Sequence, residues 1–118
     1  SSMNLKGVNV DWAEEFNGSI TVCDVEGIIV YMNDRAVHEF QKYGGEKLLG
    51  TNLIDCHPEP SKSKLKQMLL KQTENMYSTE KMGVKKMILQ TPWKIKNEFK
   101  GIVEISFILD NQMPHFKR

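Results

Sequence analysis

The sequence has few cysteines, no long apolar run and almost no net charge. Only two of its 118 residues are cysteines, Cys23 and Cys56, too few for a disulfide-stapled scaffold, so we expect a reduced, cytoplasmic protein. No apolar run approaches the roughly 20 residues of a membrane-spanning helix, and no secretory signal is visible. Sixteen basic and fifteen acidic residues leave a formal charge of +1. Because this balance gives no electrostatic attraction to polyanions, we expect neither nucleic acid nor membrane as a partner.

Motifs typical of catalysis are also missing. The chain has no glycine-rich phosphate loop and no paired catalytic carboxylates. Cys56 and His57 are adjacent, but neighbouring side chains usually point in different directions, and a nucleophile needs its base within hydrogen-bond reach. We therefore expect a protein without catalytic residues, and keep a small enzyme that uses Cys56 and His57 as an alternative.

The clearest structural pattern lies at residues 19–33. Apolar Ile20 and Val22 alternate with smaller or polar side chains, which is typical of a half-buried strand. A turn follows, in which Gly27 supplies the positive φ of a tight hairpin. A second strand rich in Ile and Val ends at Asn33, whose side chain can cap the next helix.

The rest of the chain alternates between helical and strand patterns. Asp11 fits the start of a short helix, and residues 44–60 read as a connector with one or two single-turn helices. Ser61 is the predicted cap of a longer helix that runs to about residue 75, and three strands are predicted at 77–82, 85–95 and 99–109. Pro92 indicates an edge, a bulge or a bend in the second of these. Consecutive hairpins favour antiparallel pairing, with helices over one face, so the sequence predicts an α+β domain.

Taken in order, these segments resemble a PAS sensor domain. The strand, Asp-x-x-Gly turn, strand and Asn of residues 19–33 match the family's opening pattern, and Gly-Glu-Lys-Leu-Leu-Gly at 45–50 is similar to its G-x-x-x-x-L-x-G connector. Leu-Ile-Asp-Cys-His-Pro at 53–58 resembles the Cys-His-Pro segment of one PAS branch, and 101–104 matches the family's last strand. The resemblance implies a five-stranded antiparallel sheet, helices covering one face, and a ligand cavity between them.

The resemblance also divides the chain. Ser-Ser-Met at 1–3 looks like a cloning remnant and start, 4–18 a helical cap, 19–110 the PAS domain and 111–118 a tail. Many PAS domains continue into a coiled coil, but no heptad pattern follows residue 110, and Pro114 would break a helix. We therefore expect a stand-alone sensor, with a piece of a longer chain as the alternative.

The implied cavity should be mostly apolar. Its helical side is expected at Val37, Phe40, Leu53, Ile54 and Leu65, and its sheet side at Val22, Ile88, Ile105 and Phe107. Glu104 either lies inside the cavity, where burial would shift its pKa, or faces solvent on an alternating strand. The candidate contacts to a ligand or cofactor are His57, Cys56, Phe40, Leu53, Ile54, Leu65, Ile88 and Glu104.

His57 is the best candidate for a contact to a metal or haem, because an imidazole can be an axial ligand of haem iron. In the alternative, His57 makes only local hydrogen bonds in a helical turn. A c-type haem is disfavoured because no Cys-x-x-Cys-His occurs. Covalent flavin photochemistry is disfavoured because the Asn-Cys-Arg-Phe-Leu-Gln motif of light-sensing members is absent. The cofactor is therefore unknown, with haem as a candidate.

The resemblance implies a sensory or signalling domain that binds a small molecule and acts through an unidentified signalling partner. A ligand-free interaction and dimerisation module is the alternative. We also expect a homodimer, since two-fold pairing is the commonest arrangement of soluble oligomers. The helix with Trp12 and Phe16 should then lie on the outer sheet face near the dimer axis, against Ile102 and Ile108.

Overall fold

A computed structural model describes residues 11–55 and 57–118 of the chain. Cys56, the start at residues 1–3 and part of the predicted cap at 4–18 lie outside the described residues. The helices are α1 (Asp11–Glu14), α2 (Asp34–Glu39) and α3 (Ser61–Lys71), with single 3-10 turns at Gln41–Tyr43 and Gly45–Leu48. The strands are β1 (Ser19–Cys23), β2 (Ile29–Met32), β3 (Asn75–Lys81), β4 (Val84–Ile95) and β5 (Glu98–Ile108).

The five strands form one antiparallel sheet in the order β2-β1-β5-β4-β3. The predicted α+β class and the five-stranded antiparallel sheet are confirmed. The predicted irregularity near Pro92 is confirmed as well. The β3–β4 pairing reaches Gln90, so Pro92 lies beyond it, and the β4–β5 register shifts between Trp93 and Lys94. A residue without an N–H is tolerated where the ladder is incomplete.

The sheet has two differently covered faces. On the outer face, Ala13 of α1 packs with Ile20, Val22 and Tyr31, and Val103, Ile105 and Trp93 pack against this cluster. On the inner face, Met68 of α3 packs with Cys23 and Ile102, while Ala36 of α2 packs with Ile29 and Met32. The helical elements that enclose a cavity therefore cover the inner face.

Two expectations about these faces are wrong. The outer face holds Val22, Ile105 and Phe107, which were predicted to line the cavity: Val22 and Ile105 pack in the outer-face cluster, and Phe107, two residues along β5, shares the face of Ile105. Ile102 and Ile108, predicted to receive the N-terminal helix, share the inner face, where Ile102 is buried against Met68. Alternation along a strand establishes which residues share a face, but it does not say which face the helices cover.

Asn33 joins α1, β1 and α2 at one buried point. Its Oδ1 accepts hydrogen bonds from the N–H groups of Ile20 and Ala36, and its Nδ2 donates to the carbonyls of Ala13 and Gly18. The predicted cap of α2 is confirmed. With the other three bonds, both N–H donors and both oxygen lone pairs of the amide have partners. Asn33 therefore holds the helix, the first strand and the N-terminal segment together.

The boundaries of α3 differ from the prediction. The N-cap position is occupied by Pro60, not Ser61, and has no side-chain cap bond; instead the Glu59 carboxylate accepts hydrogen bonds from the Ser63 N–H and hydroxyl. These bonds lower the pKa of Glu59. The helix ends at Lys71, because Gln72 turns to a left-handed conformation (φ 56°), and the chain enters β3 at Asn75.

No helix in the described part of the chain is both long enough and apolar enough to cross a membrane.

Candidate functional site

A cavity of about 510 Å³ lies between the inner face of the sheet and the helical segment that crosses it. Its size falls within the roughly 300–1,000 Å³ typical of small-molecule sites. Most of the wall is apolar, formed by Ile29, Met32, Phe40, Leu48, Leu53 and Pro58. Thr21, Tyr43, His57 and Glu104 supply its polar groups.

A second concavity, a groove of about 620 Å³ beside α2, is larger but more open. Its wall includes the charged side chains Glu14, Asp34 and Glu46. We take the inner cavity as the candidate site, because a mostly apolar wall with a few converging polar groups is the usual architecture of a ligand pocket.

A polar row crosses the sheet beneath this cavity. Thr21, Glu104, Gln90 and Asn75 are successive cross-strand partners on β1, β5, β4 and β3, so their side chains share the inner face. Asn75 Nδ2 donates to Gln90 Oε1 at 2.9 Å, and Gln90 Nε2 donates to Glu104 Oε1 at 3.1 Å. The two amides thus support the carboxyl group from one side.

Glu104 is the acidic group of this row. Burial raises the pKa of its carboxyl; the hydrogen bond from Gln90 and the nearby His57 lower it, and Glu39 raises it. Burial, and then the Glu104 charge, also raise the pKa of Tyr77 on β3. The charge of Glu104 therefore reaches Tyr77 on the same face, although Tyr77 is itself 43% exposed.

Thr21 brings a hydroxyl to the same wall. Its side chain lines the cavity and the residue is only 4% exposed, yet Oγ1 has no hydrogen-bond partner among the described residues. An unpaired buried hydroxyl costs about 1–3 kcal/mol. A bound molecule that hydrogen-bonds to Oγ1 would recover part of this cost.

His57 contributes a nitrogen from the opposite wall. Its Nδ1 lies 2.8 Å from the carbonyl oxygen of Leu53. Since a carbonyl only accepts, Nδ1 carries the proton, and in the neutral ring Nε2 keeps its lone pair for another contact. The predicted local hydrogen bond and the predicted position at the cavity therefore occur together.

The described residues contain no cluster of three His, Cys, Asp or Glu side chains suited to hold a metal ion. A haem requires an axial ligand for its iron and an apolar wall for its macrocycle. His57 with its Nδ1 fixed and the apolar lining of the cavity fit that requirement. His57 as a metal contact stays a prediction.

The predicted contact residues fall into three groups. His57, Phe40, Leu53 and Glu104 line the cavity. Ile54, Leu65 and Ile88 do not: Leu65 is buried in α3, and Ile88 lies on the inner face in register with Ser106, one row away from Glu104. Cys56 lies outside the described residues. Whether any of them touches a ligand stays a prediction.

Sequence reasoning missed Thr21, Gln90 and Asn75. The available signal was a polar side chain within otherwise apolar strands, as at Gln90. Strand register aligns it with Glu104, but that register is only known once the turns are placed.

Several solved structures are similar to this chain. One is a sensory box sensor histidine kinase from Vibrio cholerae, with 14% identity, 85% of this chain and 88% of that chain covered, and a TM-score of 0.59. Another is the Aer2 receptor from Vibrio cholerae, described as a dual PAS-heme oxygen sensor, with 17% identity, 79% and 95% covered, and a TM-score of 0.55. A third is the PAS domain of an HTR-like protein from Haloarcula marismortui, with 16% identity, 81% and 84% covered, and a TM-score of 0.58.

Sequence comparisons add nothing further: no family model matches the chain, and no curated protein matches it. At such low identities the structural similarity establishes the fold alone. The chain has a PAS fold.

Proposed function

We propose that this chain is a sensory PAS domain that binds a small molecule in its inner cavity and transmits the change through protein contacts, without catalysis. The observation that carries the proposal is the pairing of a mostly apolar cavity with two unusual groups in its wall. Glu104 is a carboxyl with a raised pKa, and Thr21 is a buried hydroxyl with no partner among the described residues. Groups of this kind are found where a ligand completes the structure.

The similar structures support a sensory role, since two of those named above belong to sensors by their own descriptions. Haem is retained as one candidate ligand. Its support is the axial position that His57 offers and the description of Aer2 as a haem sensor. If haem binds, His57 would hold the iron and the apolar wall would exclude water from it.

The test is to release and identify any co-purifying small molecule. The protein is denatured, the extract is analysed by mass spectrometry, and the absorption spectrum is recorded before denaturation. A Soret band would identify haem, and the His57→Ala variant should then lose it. We expect a small molecule in near-stoichiometric amount, or its uptake from a cell extract.

A matched pair of variants controls this test. Leu53→Trp places a larger side chain in the cavity wall and should abolish co-purification. Leu70→Trp makes the same change on α3, where Leu70 is 80% exposed, and should preserve it. Retention of the molecule by both variants, or no uptake by the unmodified protein, would contradict the proposal.

We also propose self-association as a homodimer through the surface around α1. Trp12 is 65% exposed, and its ring stands edge-to-face against that of Phe16 at 6.5 Å between centroids. Exposed aromatic pairs of this kind are enriched at protein interfaces.

A further inference from the structure

The charges around the inner cavity are unbalanced. Glu104 is the one carboxyl in its wall, and among the described residues no Lys or Arg lines it. Two other titratable side chains influence the pKa of Glu104 from neighbouring elements: Glu39 of α2 raises it and His57 lowers it. Glu39 is itself paired with Lys86 of β4. The cavity therefore offers negative charge without a fixed positive partner.

The hydrogen-bonding capacity of the wall is also incomplete. Gln90 donates to one oxygen of Glu104, and because Gln90 Oε1 already accepts from Asn75, its amide orientation is fixed. Among the described side chains no ion pair joins Glu104 to His57, and His57 Nδ1 donates to the Leu53 carbonyl. On the sheet side of the cavity, the remaining capacity is carboxylate oxygen and the Thr21 hydroxyl, and both can accept; on the opposite wall, Nε2 of the neutral His57 ring is an acceptor as well.

The rest of the cavity suits an uncharged body. Ile29, Met32, Leu48 and Leu53 form an apolar wall, and the aromatic rings of Phe40 and Tyr43 line the same space. An aromatic face adds roughly 0.5–2 kcal/mol of attraction for a nearby cation. A molecule with hydrogen-bond donors at one end and apolar atoms at the other would match this arrangement of acceptors and apolar walls.

We propose that the cavity selects a small monocationic amine, whose ammonium group donates to the Glu104 carboxylate and the Thr21 hydroxyl while its apolar body lies against Ile29, Met32 and Leu53. This inference rests on the proposed function, since it names the class of ligand for the same cavity. The ammonium supplies the positive charge that the wall lacks, and it satisfies the unpaired hydroxyl. An anionic molecule would place like charges together when Glu104 is ionised, and a neutral one would supply no counter-charge.

Three probes of similar shape and different charge test this selection. They are 2-phenylethylamine, the neutral 2-phenylethanol and the anionic 3-phenylpropanoate, titrated near neutral pH by calorimetry or by NMR. We expect the amine to bind at least about tenfold more tightly than the alcohol, a difference of about 1.4 kcal/mol, and the carboxylate to bind least.

Variants assign the preference to specific groups. Glu104→Gln keeps the size of the side chain and an acceptor for Gln90 but removes the charge, so the amine should lose its advantage over the alcohol. Thr21→Val should weaken binding of the amine several-fold. Glu98→Gln removes an exposed carboxylate from the same strand and should leave the preference intact.

Each outcome decides the inference. Equal or tighter binding of the alcohol or the carboxylate to the unmodified protein, failure of all three probes to bind, or a preference that survives Glu104→Gln would overturn it. The comparison of probes on the unmodified protein needs no variant to fold. A co-purified molecule that is neutral or anionic would overturn the inference and leave the proposed function standing, whereas an empty cavity that takes up nothing would remove the proposed function itself.

Discussion

Asn33 shows how much one side chain contributes when every polar atom has a partner. It donates twice and accepts twice, and it is fully buried. Asn33→Asp keeps the shape but replaces both donors with oxygen, which would face the carbonyls of Ala13 and Gly18. We expect a loss of about 3 kcal/mol in unfolding free energy, because a buried charge is left facing acceptors.

Urea denaturation near neutral pH measures that loss. Asn111→Asp, the same change at an exposed position, should alter the unfolding free energy by less than about 0.5 kcal/mol. A loss below about 1 kcal/mol at Asn33 would show that the four hydrogen bonds are not a structural requirement.

Gly101 is a second residue with a demanding position. It is buried with φ of 141°, and a Cβ there would overlap the carbonyl oxygen of Cys23 on β1. Gly101→Ala should therefore lower the unfolding free energy by about 3 kcal/mol or more, because β1 and β5 must move apart to make room for the added Cβ. Gly83 also has positive φ, 79°, but faces open space, so Gly83→Ala should cost about 1 kcal/mol. Equal losses in chemical denaturation would refute the steric explanation.

The raised pKa of Glu104 predicts the direction in which the stability of the folded chain changes with pH. Its pKa in the folded chain is raised above the ordinary value of 4.5, so the folded state holds the proton more tightly than the unfolded state. Stability from this group is therefore present below pH 4.5 and is lost as the pH rises through the folded-state pKa.

Glu104→Gln, which cannot ionise, should gain stability relative to the unmodified protein as the pH rises through that window. Unfolding curves at a series of pH values, without added ligand, measure the difference. A difference that stays constant, or that shrinks as the pH rises, would mean that Glu104 is not poorly solvated in the folded protein.

At the scale of elements, α1 covers part of the outer sheet face and leaves an aromatic pair exposed. If this surface forms the homodimer, Trp12→Glu should raise the dimer dissociation constant by at least about tenfold, because a charge would enter an apolar contact. Phe116→Glu is the matched control, since Phe116 is 68% exposed in the C-terminal segment. Light scattering over a range of protein concentrations measures the dissociation constants of both variants. A chain that is monomeric at high micromolar concentration, or a dimer insensitive to Trp12→Glu, would contradict the assignment.

The elements themselves were largely predictable, and their boundaries less so. The hairpin at residues 19–33 was predictable because alternation, a turn glycine and a capping Asn agree with one another. The end of α3 was not predictable. By helical spacing, the apolar stripe of Leu65, Met68 and Leu69 continues to Met76, but in the structure Met76 pairs with β4 and belongs to β3. Long-range pairing of this kind overrides local preference.

At the scale of the whole molecule, the fold class could be predicted from the order of the elements, whereas the cavity could be predicted only from the family resemblance. The order of strands and helices predicts an α+β sheet protein, and the PAS resemblance predicts a cavity. Glu104 could be singled out as a polar residue among apolar neighbours, and His57 from the Cys-His-Pro segment and the ligating chemistry of imidazole. Thr21 could not, because an isolated Thr is common in strands. The assignment of faces failed for Val22, since both sides of β1 are buried and period two alone does not distinguish them. It failed in the same way for Ile105 and Phe107 on the neighbouring strand β5.

The central claim, a small molecule held on the inner face, is tested most directly by methyl NMR. The protein is stripped of bound molecules by unfolding and refolding, and the low-molecular-weight extract is then added back. We predict that the methyl signals of Ile29, Met32, Leu48 and Leu53 shift while those of Ile20, Val22, Val103 and Ile105 stay in place. Unchanged spectra, or shifts confined to the outer-face methyls, would contradict the claim.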